Sequence, residues 1–417
     1  MLKVLVIGGG AREHTLAWKL GQSPNVEEIY IAPGNAGTGL IAKNLDIKPT
    51  ELESLARVAQ EQRIDLTVVG PEAPLATGIV DLFQARGIPV FGPSKEATRI
   101  ESSKVFAQGL MQKYGIPCAR SRSFSSFAEA KDYVKTQQIP IVVKADGLAA
   151  GKGSVVAGST AEALAALSDI MEKRIFGEAG DQVLVEECLQ GKEVSLLAFS
   201  DGKTVVPMVP ACDYKRACDG DKGPNTGGMG SYSPPKFFGR EMINRVRDTI
   251  LEPTVRAMAK EGKPYKGVLY AGLMLTEEGP RALEFNARFG DPESQVMLPL
   301  LKSDLVEIML AVLDERLDKT QIEWRDEACV GVVMASGGYP GSYKTGFPIR
   351  GLDKVEDDIL VFHAGTRESE GKIYTDGGRV LTVTATGGTI AEAGDRVYSN
   401  IRRIHFEGCH YRHDIGA

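Results

Sequence analysis

Strand and helix signals alternate through the first hundred residues of this 417-residue chain. Apolar runs such as KVLVIGG, EEIYIAPG, IDLTVVGPE and IPVFGP predict strands, and amphipathic segments such as ELESLARVAQEQR predict the helices between them. A β-α-β-α-β order of this kind predicts a parallel, doubly wound sheet that binds its ligands at the carboxyl ends of the strands. The loops GGG, PGN and GPE all fall at those ends.

The rest of the chain predicts an α/β fold that becomes α+β towards the C-terminus. A helix at SSKVFAQG precedes short strands around a glycine loop, and a larger segment follows with the hairpin GVLYAGLML–TEEGP–RALEFNARF. From about Cys329 the pattern becomes antiparallel and closes with one helix. We therefore predict domains at 1–103, 104–328 and 329–417, with 120–190 as a smaller, lid-like part of the second.

Composition limits the classes of function that are open to the chain. A hydrophobic content of 43%, a charged content of 25% and a net charge of -6 are typical of a globular protein without a nucleic-acid-binding surface. No apolar run is long enough to span a membrane, and no signal-peptide segment follows Met1. The six cysteines show no CxxC spacing, which favours reduced thiols and a cytoplasmic location.

The loop VIGGGAREH follows the first predicted strand and tests for dinucleotide binding. Gly8 and Gly10 fit the G-x-G-x-x-G pattern, but Glu13 stands at the third position. The second strand ends in Pro33-Gly34-Asn35 rather than in an acid. The loop is interpreted equally well as a phosphate-binding loop or as a tight turn, and an NAD-dependent oxidoreductase is disfavoured.

The segment IVVKADGLAAGKGSVVA indicates phosphate binding more strongly. Lys144 ends a predicted buried strand, and a buried lysine is costly unless it meets an anion. The glycine-bearing turns around Lys152 could fold backbone amides over a triphosphate. This is not a Walker loop, since neither Ser nor Thr follows the lysine. An ordinary hairpin with a solvated Lys152 is the alternative.

Two further stretches give weaker signals. In VLVEECLQGKEVS, extended backbone could bond an adenine edge while Glu193 reaches ribose hydroxyls, although acid pairs are more often solvated. In PNTGGMGSY, glycines surround Met229, which suits the wall of a small-substrate site or, equally, a surface loop.

The strand LEFNARFGDPESQ carries a polar face with unusual chemistry. Residues two apart on a strand lie roughly 6.5 to 7 Å apart, so Glu284 and Asn286 can both reach one cation. Mg²⁺ prefers such hard oxygen ligands and usually takes only one or two from protein. Arg288, next on this face, suits a carboxylate or phosphate. An exposed ladder of ion pairs is the alternative.

Taken together, GGGAREH, APGNAG, VGPEAPL, KADGLAAGKG, EECLQGKEVS, GPNTGGMGSYSP, YAGLML and RFGDPESQ resemble the phosphoribosylamine–glycine ligases (glycinamide ribonucleotide synthetases), which are ATP-grasp enzymes of purine synthesis. The resemblance runs from residue 3 to about residue 416, and RFGDPESQ is its most specific part. The chain departs from the family at Ala11, which is commonly glycine. Leu273 and Met274 stand where many ATP-grasp enzymes carry another metal-binding acid.

The resemblance implies an N-terminal Rossmann-like substrate domain, a two-part ATP-grasp domain and a C-terminal α/β domain. It implies that the chain, as a monomer or weak dimer, ligates glycine to 5-phosphoribosylamine using ATP, with Mg²⁺ or Mn²⁺ on Glu284 and Asn286. The implied catalytic residues are Lys144, Asp213 and Arg288. The implied ATP-binding residues are Lys104, Lys144, Gly151, Lys152, Gly153, Glu186, Glu187, Leu189 and Glu193. The implied substrate-binding residues are Gly9, Gly10, Arg12, Glu13, Gly34, Asn35, Pro71, Glu72, Asp213, Asn225, Gly227, Gly228, Met229, Gly230, Arg288, Asp291 and Pro292.

Two other functions stay open at this point. Another ATP-grasp ligase, acting on a different small acid, would share the lysines and Glu-x-Asn but need not share RFGDPESQ. A non-catalytic nucleotide sensor would be expected to have lost Lys144, Glu284 or Asn286, and all three are present.

Overall fold

Five parallel strands form the N-terminal sheet of the computed structural model, which describes residues 1–148 and 153–417. In chain order the elements are β1 (Leu2–Gly8), α1 (Ala11–Leu20), β2 (Val26–Pro33), β3 (Lys43–Asn44), α2 (Leu52–Glu61), β4 (Leu66–Val69), α3 (Glu72–Thr77), α4 (Ile79–Ala85), β5 (Val90–Phe91) and α5 (Lys95–Ser102). The strand order β3-β2-β1-β4-β5 confirms the predicted doubly wound sheet. The order reverses beside β1, so the GGG loop stands at the switch point where such sheets bind ligands.

A second sheet of four antiparallel strands follows. The elements of this part of the chain are α6 (Lys104–Tyr114), β6 (Ser121–Phe124), α7 (Phe127–Lys135), β7 (Ile141–Ala145), β8 (Ser154–Ala157), α8 (Thr160–Leu167) and β9 (Val183–Glu187). The strand order is β6-β9-β7-β8. The predicted glycine loop connects β7 to β8, and its Gly151 and Lys152 lie outside the described residues.

Residues 192–286 contribute to three sheets, one of which is the two-stranded pair β13-β14. Their elements are β10 (Lys192–Asp201), β11 (Val205–Pro207), β12 (Cys212–Asp213), β13 (Arg216–Cys218), β14 (Lys222–Asn225), β15 (Gly230–Ser233), α9 (Arg240–Val246), α10 (Glu252–Lys260), β16 (Lys266–Thr276) and β17 (Gly279–Asn286). The third sheet has the order β11-β10-β16-β17. The predicted hairpin is confirmed as β16 and β17.

The C-terminal sheet has the order β12-β15-β18-β22-β19. The elements that follow β17 along the chain are α11 (Ser294–Met297), α12 (Leu305–Leu313), β18 (Ala328–Ala335), β19 (Leu360–His363), β20 (Thr366–Ser369), β21 (Lys372–Thr375), β22 (Arg379–Gly387) and α13 (Ile390–Ile401). The antiparallel pattern predicted from Cys329 is confirmed. The sheet also takes β12 and β15 from the segment predicted as the second domain, because β15 pairs with the open edge of β18. None of the described helices combines the length and apolarity needed to cross a bilayer.

The apolar face of LEFNARFGDPESQ joins the N-terminal and third sheets. Phe285, Ala287 and Phe289 are buried, as their alternation predicted. The ring of Phe289 lies 6.3 Å from that of Phe91 in the N-terminal sheet and 6.2 Å from that of Phe199 in the third. The alternate polar residues therefore lie on the face turned away from this core.

Two buried histidines join the N-terminal domain to the C-terminal sheet. The backbone N–H of His363 donates to Nδ1 of His14 at 2.8 Å. Burial lowers the pKa of His14 to about 3 and that of His363 to about 4. Both rings are therefore neutral in the folded chain above about pH 4.

We expect this contact to lose stability as the pH falls below 6.5, the ordinary histidine pKa. The unfolded chain takes up protons there while the folded pair stays neutral, so acid favours unfolding, by about 2 kcal/mol per histidine at pH 5. His14→Asn keeps an acceptor near the position of Nδ1 but cannot titrate, and should remove about half of this pH dependence. Thermal unfolding at pH 7 and pH 5 measures the effect. An unchanged difference between the two pH values in His14→Asn would contradict it.

Candidate active site

Glu284 and Asn286 lie two residues apart near the end of β17. Glu284 is opposite Gly272 on β16, and Asn286 is opposite Tyr270. A Cβ on Gly272 would lie 3.3 Å from Cγ of Glu284, so a larger residue there would crowd the carboxylate. Leu273 is opposite Ala282 and only 1% exposed. The carboxylate therefore has a glycine, rather than a second acid, as its cross-strand neighbour.

Lys144 reaches from β7 of the second sheet to β17 of the third. Its Nζ lies 2.6 Å from Oε2 of Glu186 on β9, and it donates to the carbonyl of Leu283 at 3.0 Å. Burial raises the pKa of Glu186, and Lys144 opposes that rise. The anion that pairs with this buried lysine is thus the carboxylate of Glu186, which belongs to the chain itself. Glu186 was instead predicted to bind ATP.

Lys104 begins α6 and adds a second positive charge. Its Nζ donates to the carbonyl of Gly147 at 2.8 Å, just before the glycine loop. Asp146 accepts from the backbone N–H of Val105 at 3.1 Å, which ties the loop to the start of the helix. Burial lowers the pKa of Lys104, and Glu284 opposes this shift. The two lysines and Glu284 therefore share one electrostatic environment.

The environment of Glu284 suits a divalent cation. Burial opposes ionisation of its carboxyl group, but Lys215, Lys144 and Lys104 together lower its pKa. Within residues 1–148 and 153–417, no hydrogen bond or ion pair occupies its carboxylate oxygens. An ionised carboxylate with free oxygens, beside the amide oxygen of Asn286, is a donor set that fits Mg²⁺ or Mn²⁺.

Arg288 is held between two acids. Its Nε lies 3.3 Å from Glu72 of α3, and its Nη2 lies 3.2 Å from Glu101 of α5. Burial works against its charge, yet Glu101 and Glu72 raise its pKa. Its Nε makes no hydrogen bond to any residue that the structure describes. Two carboxylates therefore fix Arg288 in place at the end of β17.

Asp213 and Lys215 form a second charged group close enough to influence Glu284. Burial raises the pKa of Asp213 to about 7, with Lys215 opposing and Glu293 adding to the rise. Burial works against the charge of Lys215, yet Asp213 and Glu193 raise its pKa. Nζ of Lys215 lies 2.7 Å from Oε2 of Glu193. Glu193, predicted to meet ribose, is therefore already ion-paired.

The pKa of Asp213 leads to a pH prediction. Above pH 7 its carboxyl group is ionised and can hold an ammonium group, and below pH 7 it becomes neutral. We expect kcat/KM for an amino-acid substrate to fall about tenfold per pH unit below 7. Asp213→Asn should be slow throughout and lose this dependence. If its pH profile matched that of the parent chain, Asp213 would not be the group that binds the ammonium group of the substrate.

A buried network next to this group was not predicted. The hydroxyl of Tyr270 donates to Oε1 of Glu293 at 2.6 Å and lies 2.8 Å from Oγ of Ser195. Glu293 is only 3% exposed. Tyr270 and Ser195 carry no sequence signal, because each reads as an ordinary residue of a buried strand. The network holds the turn of RFGDPE against β10 and β16.

The GGG loop is closed by the residue that breaks the dinucleotide pattern. Oε2 of Glu13 accepts from the backbone N–H of Gly10 at 2.6 Å, and Oε1 lies 2.6 Å from Nε of Arg12. Arg12 donates to the carbonyl of Phe289 at 3.3 Å. The Glu13 carboxylate thus accepts a hydrogen bond from a backbone N–H of the GGG loop at the switch point. Through Arg12, the same loop contacts the RFGDPE turn.

Asn35, another predicted substrate residue, is engaged within the chain. Its amide donates to the carbonyls of Gly9 and His363 at 2.9 and 2.8 Å. Its Oδ1 accepts from the N–H groups of Gly37 and Thr38 at 2.9 and 3.0 Å. The side chain therefore shapes the loop, while Gly34 before it adopts a φ of +73° that favours glycine. Pro71 precedes α3 and Glu72 begins it.

The glycine wall at 227–230 meets the RFGDPE turn through Arg379 of β22. Arg379 donates to the carbonyl of Gly227 at 2.7 Å, and its Nη2 lies 2.9 Å from Oδ2 of Asp291. Burial opposes ionisation of Asp291, but Arg379 lowers its pKa. Gly228 has a φ of +109° and packs on Pro292. Arg379 escaped sequence reasoning because it lies 88 residues from Asp291.

Other predicted residues are less central. Met229 is fully buried, and Gly230 begins β15 beside it. Asn225 is exposed on β14. Glu187 accepts from Arg120 at 2.9 and 2.8 Å on the side of β9 away from Glu186. Leu189 is half-buried, and Gly153 pairs through its carbonyl with Ala145.

Lys144 from one antiparallel sheet and Lys104 from the helix before it face the Glu-x-Asn strand of another sheet, an arrangement typical of the ATP-grasp class of enzymes. The biotin carboxylase domain of the Hydrogenobacter thermophilus 2-oxoglutarate carboxylase, solved with MgADP, has the same fold, with a TM-score of 0.77 and 16% identity over 99% of this chain and 92% of that one. The chain belongs to the phosphoribosylglycinamide synthetase family. The N domain of this family matches residues 2–101, its ATP-grasp (A) domain residues 102–294 and its C domain residues 329–417.

Two relatives cover the whole chain. The phosphoribosylamine–glycine ligase of Halalkalibacterium halodurans is 52% identical over 100% of this chain and 97% of its own length. The crystal structure of the Thermotoga maritima phosphoribosylamine–glycine ligase is 35% identical, with a TM-score of 0.85 over 99% of this chain and 100% of that one.

Proposed function

We propose that this chain ligates glycine to 5-phosphoribosylamine, converting ATP to ADP and phosphate and forming glycinamide ribonucleotide for purine synthesis. The observation that carries the proposal is the grouping of Glu284, Asn286 and Arg288 at the end of one strand, facing Lys104 and Lys144. Membership of the family, and relatives of that name at about half identity over their full length, support the same reaction.

The chemistry requires an activated acid. A carboxylate and an amine do not condense in neutral water, because the leaving group would be hydroxide. In the proposed reaction the glycine carboxylate attacks the γ-phosphorus of ATP, the bond to the β-γ bridging oxygen breaks, and ADP leaves. The amine of phosphoribosylamine then attacks the carbonyl carbon of glycyl phosphate. Phosphate departs, the amine loses a proton, and the amide forms.

Phosphoryl transfer of this kind depends on alignment and charge neutralisation more than on covalent catalysis. Lys104 and Lys144 would neutralise ATP phosphates where the second and third sheets face each other. Glu284 and Asn286 would hold the divalent cation, Mg²⁺ or Mn²⁺, which supplies further charge neutralisation to the phosphates. The predicted lid would exclude water from the acyl phosphate.

The charged groups beyond β17 suit the two acceptor substrates. Arg288 would hold the glycine carboxylate through its guanidinium as the carboxylate becomes an acyl phosphate. Asp213 would meet the glycine ammonium group. The glycine-rich strand ends of the N-terminal sheet would hold the sugar phosphate near Arg12 and Asp291. The cytoplasmic location and the monomeric or weakly dimeric state stay predictions.

The direct test is ADP release with glycine and freshly generated phosphoribosylamine, omitting each in turn. The proposal expects full turnover only when both are present. β-Alanine is the matched control for glycine, because it has the same two charges placed one carbon further apart. ADP formed equally without the ribosylamine, or with β-alanine in place of glycine, would favour another carboxylate–amine ligase.

A further inference from the structure

A cavity of about 610 Å³ opens between α6, the connection that follows it and the β16–β17 hairpin. One wall of the cavity is the connection 115–121 between α6 and β6, and the other is formed by the β16–β17 turn with Arg245 and Thr249. Among the described residues that line it, none is a predicted ATP, substrate or metal residue. The cavity is therefore separate from the candidate active site.

The cavity lining is strongly positive. It includes Arg120, Arg245 and Arg281, and among the described residues Glu278 is the only acid. Glu187 pairs with Arg120 and Arg281 from outside the lining, so one positive charge is left over. This favours an anion such as a phosphate monoester, which carries about -1.5 to -2 charges at neutral pH. Guanidinium groups bind phosphate oxygens in pairs and do not lose their charge.

The guanidinium groups are oriented but not saturated. Arg245 donates to the carbonyl of Glu278 through a long contact of 3.3 Å, which uses one of its five N–H groups. Arg281 donates to the carbonyl of Cys118 at 3.1 Å and pairs with the Glu278 carboxylate. Both side chains are thus held at the cavity with donors to spare.

Apolar residues also line the cavity, which is large enough for more than phosphate. Met111 and Ile116 are buried beneath the cavity, and Pro117 and Pro280 line it. A volume of about 610 Å³ lies within the range of small-molecule sites, roughly 300 to 1,000 Å³. A phosphate ester with an apolar or aromatic body contacts both the arginines and the apolar residues, whereas free phosphate contacts only the arginines.

Two of these arginines also link the sheets that move against each other in the proposed lid. Glu187 accepts from the backbone N–H and Nε of Arg120 at 2.9 and 2.8 Å, beside the second sheet. Arg281, on the third sheet, has its Nη1 3.6 Å from the same carboxylate. The connection 115–121 leads into β6 of the second sheet, and Pro280 and Arg281 belong to β17 of the third, so an anion bound here meets both sheets.

We propose that this cavity binds a phosphate monoester with an apolar body through Arg245 and Arg281. The bound phosphate competes with Glu187 for Arg281 and Arg120, weakens the link between the two sheets and so changes how readily the second sheet closes over ATP. This regulatory site is independent of which acid and amine the enzyme joins.

Calorimetry with phenyl phosphate tests binding on the full chain. The protein is first saturated with Mg²⁺, a non-hydrolysable ATP analogue and glycinamide ribonucleotide, so that the proposed nucleotide, glycine and sugar-phosphate sites are all filled. We expect one saturable site that binds phenyl phosphate more tightly than inorganic phosphate. Arg245→Gln, at an exposed position, should weaken binding about tenfold, as expected for one charge-assisted contact. Thr249→Glu, also exposed, should weaken it further by repulsion.

Arg256→Gln is the matched control, because Arg256 is an exposed arginine on α10 that, among the residues described in the structure, pairs with Glu252 alone. It should bind phenyl phosphate like the parent chain. Equal affinity in Arg245→Gln and the parent chain, or no saturable binding up to about 10 mM, would overturn the site. The same ligand should change the KM for ATP at least about threefold in the parent chain and not in Arg245→Gln. Binding without that change would overturn the link to the lid.

Discussion

Glu284→Ala should reduce ADP formation roughly a hundred- to a thousandfold, even at high Mg²⁺. The three nearby lysines lower the pKa of this carboxyl group against the effect of burial, so it is the ionised oxygen ligand available to a cation. Its removal leaves Asn286 as the only predicted protein ligand. Mn²⁺ binding followed by electron paramagnetic resonance should weaken in parallel, which measures the site without turnover.

The matched control is Glu277→Ala, in the exposed turn of the same hairpin, which removes one acid but no predicted ligand. It should leave both ADP formation and Mn²⁺ binding near those of the parent chain. Near-normal turnover in Glu284→Ala would show that the metal assignment is wrong. A fall in turnover with unchanged Mn²⁺ binding would instead assign Glu284 a role in positioning the lysines.

Arg288→Ala should lower kcat by roughly two to three orders of magnitude while changing the KM for ATP about threefold or less. Charge on the glycine carboxylate and the transferred phosphoryl group develops next to this guanidinium in the proposed reaction. In the same proposed reaction, ATP contacts Lys104 of α6 and Lys144 of β7 instead. Steady-state kinetics with ATP and glycine varied separately measure the difference.

Removing Arg288 also leaves Glu101 buried without its partner, so a second variant is needed. Arg288→Lys keeps the charge and loses the paired N–H geometry, and should retain the fold while kcat still falls at least tenfold. Far-ultraviolet circular dichroism checks the fold in both variants. If either folded variant lost only ATP affinity, the proposed role of Arg288 would be wrong.

Some parts of the fold were predictable from patterns within short stretches of the sequence. The doubly wound N-terminal sheet, the β16–β17 hairpin and the later antiparallel strands follow from periodicity and turn residues. The two-residue strand β3 escaped prediction, because Lys43 and Asn44 are exposed and too few to show alternation. The pairing of β15 with β18 also escaped it, because nearly a hundred residues separate the paired positions.

The residues of the candidate site also divide into those that a local pattern predicted and those that it did not. Glu284, Asn286 and Arg288 were predictable because their spacing alone places them on one strand face. Glu101 and Arg379 were not, since each reaches the site from an element distant in sequence. The Tyr270–Glu293 pair was not either, because Tyr270 has the pattern of an ordinary residue of a buried strand. Adjacent acids show the limit most clearly. Glu186 meets Lys144, whereas Glu187 meets Arg120 on the other side of β9. A pair of acids in a strand does not reveal which one faces a cleft.

The sequence by itself determined the class of fold, the strand that carries the metal-binding pattern and the family resemblance. These follow from residue spacing along one segment, where the backbone geometry of strand and helix is known in advance. Only the tertiary structure decided the charge state of the site and the partners of its ions. A pKa depends on burial and on charges brought together from different sheets. Lys144, Asp213 and Glu284 acquire their chemistry only when the second, third and C-terminal sheets meet.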